Sequence, residues 1–251
     1  MTALKYIKTV VGFLLLLTVP RSTSAQGSAP EQLVLPEGAL LKPAPEFSRW
    51  TIDYSYPHDH QDATKGPAVA LDPALPRTTT TTKTKQIIHE ETVTVSGKKT
   101  ESWQRNEDFY TWIPERKLWA AYEKPTQSQI DSGIAVIMTA PKNGFRGLDW
   151  IGVKSYVGFL KTKEQTFLVF VPNAPNFDVN NAKALQAQPN IGYVDGDSRL
   201  PIRVTENNVV RTYRFEKIPE TMQKIPDDLL AEIKQGDEIR AKFNAAPSRE
   251  Y

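Results

Sequence analysis

The chain of 251 residues reads as a mainly β protein organised on a long antiparallel meander. Three observations carry that expectation. Residues 192–215, GYVDGDSRLPIRVTENNVVRTYRF, hold two polar turns, Asp195-Gly196-Asp197-Ser198 and Asn207-Asn208, between stretches of alternating apolar residues. Between Thr92 and Tyr122 turn signals recur roughly every 8–12 residues, the spacing of short hairpin connections. At the front of the chain Trp50, Ile52, Tyr54 and Tyr56 alternate with Thr51, Asp53 and Ser55, the two-residue period of a half-buried strand.

Taken in order, residues 1–25 have the parts of a secretory signal: Lys5 and Lys8, an apolar run from Val10 to Val19, and a small-residue exit at Thr23-Ser24-Ala25. That run is shorter than the ~20 apolar residues a membrane-spanning helix needs, and no later segment approaches it, so the mature chain is expected to have no transmembrane segment. Export to the periplasm is expected, with the extracellular space as the alternative. With Cys 0, export brings no disulfides and no cysteine for lipid attachment, so a packed core must hold the fold. Losing Lys5, Lys8 and Arg21 with the leader takes the basic count from 31 to 28 against 29 acidic residues, and a chain so balanced gives no electrostatic case for nucleic acid.

Residues 26–47, with Pro30, Pro36, Pro43 and Pro45, read as a proline-rich extended lead-in, 48–245 as a single β-rich domain, and 246–251 as a tail. Pro57 to Pro76 is a long, proline-broken loop. The five threonines of 78–82 favour extended backbone, because β-branching restricts χ1. The next strands carry Trp103, Trp112 and Trp119, one each, expected to stack on a shared face. Ile130 to Met138 is a continuous apolar run read as a short buried helix. Asp149 to Leu160 and Thr166 to Val171 read as strands, the second apolar on both faces and therefore central. Val179 to Gln188 is a short helix, and Pro226-Asp227-Asp228 opens a longer one in which Leu229, Leu230 and Ile233 are apolar and Gly236 is the stop signal.

The order of leader, meander, hairpin Asp195-Gly196-Asp197-Ser198-Arg199-Leu200-Pro201-Ile202, strand Tyr213-Arg214-Phe215 and closing Ile225-Pro226-Asp227-Asp228 helix resembles the periplasmic lipoprotein-carrier superfamily, the LolA, LolB and RseB group. The resemblance covers mainly residues 84–235. It implies an unclosed β-barrel, a curved antiparallel sheet with a few packing helices in its concave face, and a concavity that accepts acyl chains or a partner peptide.

No catalytic constellation stands out, so a non-enzymatic role in the cell envelope is expected. There is no nucleophile elbow, no thiol and no phosphate-cradling glycine loop. His58-Asp59-His60 is the one cluster with metal-ligand chemistry, since alternate residues of an extended chain face the same way. Its ordinary reading is a solvated polar loop. No cofactor is expected. The candidate ligand face is Trp50, Ile52 and Tyr54, joined by Trp112 and Phe167, lining a space for a lipid or an acylated protein. Two alternatives stay open: the same aromatics as the filled core of an envelope scaffold that binds a partner protein, and a metal-dependent hydrolase using His58 and His60.

Overall fold

The computed structural model describes residues 34–57, 71–85, 87–105, 108–122, 144–174, 177–219 and 224–245. These residues hold eleven strands: β1 Ser48–Ser55, β2 Pro76–Lys83, β3 Ile87–Thr94, β4 Lys99–Arg105, β5 Asp108–Ile113, β6 Leu118–Tyr122, β7 Tyr156–Lys161, β8 Thr166–Phe170, β9 Ile191–Asp195, β10 Pro201–Glu206 and β11 Val209–Lys217. Two helices join them, α1 at Ala182–Gln186 and α2 at Asp227–Ala245. The expected mainly β class is what the chain adopts.

All eleven strands form one antiparallel sheet in the order β6-β5-β4-β3-β2-β1-β11-β10-β9-β8-β7. Every pair in the sheet joins strands consecutive in the chain except β1 with β11, which brings the two ends of the domain together in the middle of the sheet. β6 and β7 are the two edges and do not pair with each other, so the curved sheet is open rather than a closed barrel.

The ladder register separates two faces. Trp50 lies opposite Phe215 and Thr81, Thr81 opposite Glu90, Glu90 opposite Ser102 and Ser102 opposite Thr111, so these residues share one face. Trp103, Tyr110, Trp112 and Trp119 share the other, because Trp103 pairs with Tyr110 and Trp112 with Trp119. The three expected tryptophans do share a face, on the opposite side of the sheet from Trp50, but they do not form one stack: Trp112 and Trp119 meet tilted at 54° with centroids 5.2 Å apart, and Trp103 stacks on His89 at 4.1 Å. Helix α2 covers this side: Leu229 and Ile233 pack against Trp103, Tyr110 and Trp119, and Asp228 accepts a hydrogen bond of 3.0 Å from Trp119 Nε1.

On the Trp50 face the core runs from β1 across β11, β10, β9 and β8 to β7 through Trp50, Tyr213, Val204, Val194, Leu168, Phe170 and Tyr156. Among the described residues no helix covers it, and those that do are irregular backbone, Leu40 and Ala44 from the proline-rich lead-in and Phe145, Leu148 and Ile151 from the segment before β7. The lead-in is therefore part of the packing and not a free leader to it. A third cluster, Val157, Val169, Val171, Leu185 and Ile191, lies on the reverse face under α1.

Several sequence expectations are corrected by these elements. β8 is apolar on both faces because clusters lie on both sides of it, Leu168 and Phe170 in one and Val169 in the other, although it is second from the sheet edge and not central. The strand expected from Asp149 starts only at Tyr156, since Leu148, Gly152 and Ser155 close hydrogen-bonded turns first. Helix α1 is shorter than the expected 179–188, with Asn181 as its N-cap. Helix α2 passes straight through Gly236. A glycine in a helix costs about 1 kcal/mol, but beyond it Asp237 binds Arg105 and Arg240 binds Asp108, holding the last turns against the β4–β5 hairpin. The helix expected over Ile130 to Met138, the leader and the 246–251 tail lie outside the described residues.

Candidate ligand groove

Of the five residues expected to line an apolar space, Trp50, Ile52 and Tyr54 share one face of β1. Trp50 is only 2% exposed. Its ring meets Phe145 edge-on at 5.6 Å and stacks with Phe215 at 6.1 Å. Phe145 also meets Tyr213 and Phe215 edge-on at 6.2 and 5.9 Å, so a phenylalanine from the covering segment fills the space that an apolar guest would need. Ile52 packs against the same cluster, and Tyr54 is half-buried opposite Arg211. The aromatic strand is a filled core at this point.

The other two residues lie elsewhere. Trp112 belongs to the cluster under α2, on the opposite face, because the turn after Arg105 pairs Arg105 with Asp108 and so sets the parity of β5. Phe167 shares its side of β8 with Val169, again on the face away from Trp50, whereas Phe170 points into the Trp50 core. His58 and His60 lie outside the described residues. No group of three His, Asp or Glu side chains among the described residues could hold a metal ion.

Among the described residues, unfilled volume is found at the rim of the Trp50 core. A groove of about 320 Å³ opens between the lead-in, Gly38 to Leu41, and the segment Leu148 to Val153. Leu40, Leu148 and Ile151 are at once lining residues and members of the buried core, so the groove floor is continuous with the apolar interior. Val153, at 62%, and Phe159 of the β7 edge, at 56%, add exposed apolar surface on this side of the chain.

The covering segment is anchored by polar contacts. Gly144 and Gly147 have φ of 80° and 70°, which non-glycine residues reach only at a cost, and they bracket Phe145 so that its ring turns into the core. Arg211 Nη1 donates to the Arg146 carbonyl at 2.9 Å, and its Nη2 donates to Glu206 at 2.7 Å. Arg146 itself pairs with Glu90 at 3.7 Å. The lead-in is tied down by Lys83 Nζ, which donates to the Ala44 carbonyl at 2.7 Å, and by Lys42 N–H, which donates to the Arg199 carbonyl at 3.0 Å.

Among the described residues, the hydroxyls of Tyr156 and Tyr213 and Nη1 of Arg199 are buried with no hydrogen-bond partner. Burial pushes both phenol pKa values up, so both stay protonated donors. By contrast Asp195, at the β9–β10 turn, is fully engaged. Burial opposes its charge, but hydrogen bonds from Gln165 and from the Ser198 and Asp197 N–H groups outweigh burial and hold its pKa below the ordinary range.

Sequence reasoning missed Leu40, Phe145, Leu148, Ile151, Tyr156 and Arg199. A glycine pair bracketing one aromatic, Gly144-Phe145-Arg146-Gly147, was the one local signal available; the rest are contacts between segments far apart in the chain.

No family model matches the chain, and no curated protein matches it. Among solved structures it is similar to a LolA superfamily protein from Nitrosomonas europaea, with 10% identity over 76% of this chain and 93% of that one and a TM-score of 0.28. At that score the similarity carries no argument about this chain. It assigns no ligand and no residue role to this chain, so function has to come from the groove itself.

Proposed function

We propose that this is an exported, non-enzymatic protein of the cell envelope that shelters a single apolar chain, lipid or protein-linked acyl, in the groove between the lead-in and residues 148–153. The observation that carries this reading is the groove floor, where Leu40, Leu148 and Ile151 bring the apolar core to the surface around about 320 Å³ of open volume. That volume is at the small end of ligand sites, which run from about 300 to 1,000 Å³. Each methylene taken out of water there contributes about 0.8 kcal/mol. The lids on either side are irregular backbone and not helix or strand, so widening the groove breaks few backbone hydrogen bonds. Shape and length of the chain would then set specificity.

A second reading has its own support. Among the described strands β7 is an edge carrying the exposed Phe159, the kind of edge to which a partner strand can add. Native mass spectrometry of the mature protein from its host envelope, before and after organic extraction, separates the two. A lipid-mass adduct lost on extraction supports the carrier reading; a bare polypeptide mass in both samples, together with no uptake of an added long-chain probe, overturns it in favour of the protein-interaction reading.

A further inference from the structure

The two walls of the groove are held by unequal means. The wall from Leu148 to Val153 is laced by hydrogen-bonded turns: Ile151 N–H donates to the Leu148 carbonyl at 3.0 Å, and the Ser155 and Tyr156 N–H groups both donate to the Gly152 carbonyl. The buried Ser155 hydroxyl donates to the Trp150 carbonyl at 2.7 Å and accepts from Gly152 N–H at 3.1 Å, while the Ser155 carbonyl accepts from Val171 N–H at 2.7 Å. Trp150 and Ile151 sit so closely on β9 that a Cβ on Gly192 would come within 3.1 Å of each. This wall is fixed to the sheet.

The other wall is not. Among the described residues the lead-in from Val34 to Ala44 is hydrogen-bonded to the rest of the protein at two points, Lys42 N–H to the Arg199 carbonyl and Lys83 Nζ to the Ala44 carbonyl. Pro36 and Pro43 have no N–H to add, and Gly38, at φ of 81°, has nothing within 4 Å of where a Cβ would stand. What holds the lead-in down is the burial of Leu40 and Ala44, 8% and 3% exposed. Its root is firm, since Ser48 Oγ donates to the Pro45 carbonyl at 2.6 Å and Ile218 N–H to the Phe47 carbonyl at 2.9 Å. A rooted segment with few backbone bonds opens at lower cost than one laced by turns.

We propose that the lead-in is the moving wall of the groove: residues 38–44 lift about the Pro45–Phe47 root while 148–153 stays in place, and the entering apolar chain takes the position that Leu40 vacates. This rests on the proposed chain-binding function and adds to it the route by which the chain enters. Leu40 then serves as a stopper, so that one apolar group replaces another and the core is not left open to water.

The test is residue-resolved amide hydrogen exchange of the mature protein, with the uptake rate of a fluorescent long-chain alcohol measured in parallel, for wild type and Lys83→Met. Lys42 N–H, bonded to Arg199, reports lifting of the lead-in, and the Ile151 and Tyr156 N–H groups report the other wall. In wild type Lys42 should show roughly tenfold less protection than Ile151 and Tyr156. Lys83→Met keeps the aliphatic stem and removes one of the two tethers, so it should quicken both Lys42 exchange and probe uptake several-fold. Equal protection of the two walls, or an uptake rate in Lys83→Met equal to that of wild type, overturns the moving lead-in and leaves the chain-binding reading standing. No uptake by either protein overturns the chain-binding reading, and exchange at Lys42 still decides which wall moves.

Discussion

Trp50 of β1 and Phe145 of the covering segment meet edge to face, with ring centroids 5.6 Å apart and planes at 69°. A strand at the centre of the sheet is thereby closed over by a side chain from irregular backbone. Phe145 is 2% exposed, so its truncation should leave a cavity that the sheet cannot collapse to fill. Phe145→Ala is expected to cost about 3–5 kcal/mol in urea unfolding. A loss below about 1 kcal/mol would mean that this face is open in solution.

Arg211 fastens the same segment through the Arg146 carbonyl and Glu206. Replacing it by methionine keeps the aliphatic stem and removes the donors. Arg211→Met should destabilise by about 1–3 kcal/mol, and amide exchange should quicken at Phe145 to Leu148 before it does in β8. Uniformly faster exchange across the sheet would show that Arg211 supports the fold at large and not the segment.

Helix α2 should respond in opposite directions at two positions. Leu229 is fully buried against Trp103 and Trp119, so Leu229→Ala is expected to cost about 2–5 kcal/mol. Gly236 is helical, and a Cβ there would approach only Arg240, at 3.9 Å. Gly236→Ala should therefore stabilise by about 0.5–1 kcal/mol. Thermal unfolding followed by tryptophan emission reads both, and a destabilising Gly236→Ala would contradict a continuous helix.

The β9–β10 turn makes stability depend on acid. Hydrogen bonds hold the Asp195 pKa below its unfolded value of about 3.9. For a carboxylate depressed on folding, the contribution is complete above the unfolded pKa and is lost as pH falls through the folded value. Asp195→Asn should therefore be less stable than wild type at neutral pH, and the gap should close in acid. A gap that is constant down to pH of about 2 would show that the side chain's role is steric and not ionic.

What the sequence determined by itself was local: where β-branched and aromatic residues alternate, and where Gly, Asn, Asp and Pro force turns. The class, the meander order and the Trp50-Ile52-Tyr54 face follow from a period of two residues, and that period is a property of the backbone. The tertiary structure decided what each face meets. Parity is inherited from turn to turn, so the pairing of Arg105 with Asp108 sends Trp112 to the α2 side, and the shared side of Phe167 and Val169 takes Phe167 away from Trp50. Gly236 reads as a stop until Asp237 and Arg240 find Arg105 and Asp108, residues far away in the chain. The groove lies further still from local rules: it is the space left between two irregular segments over a hundred residues apart in the chain, and a void is a relation between surfaces that no single stretch of residues encodes.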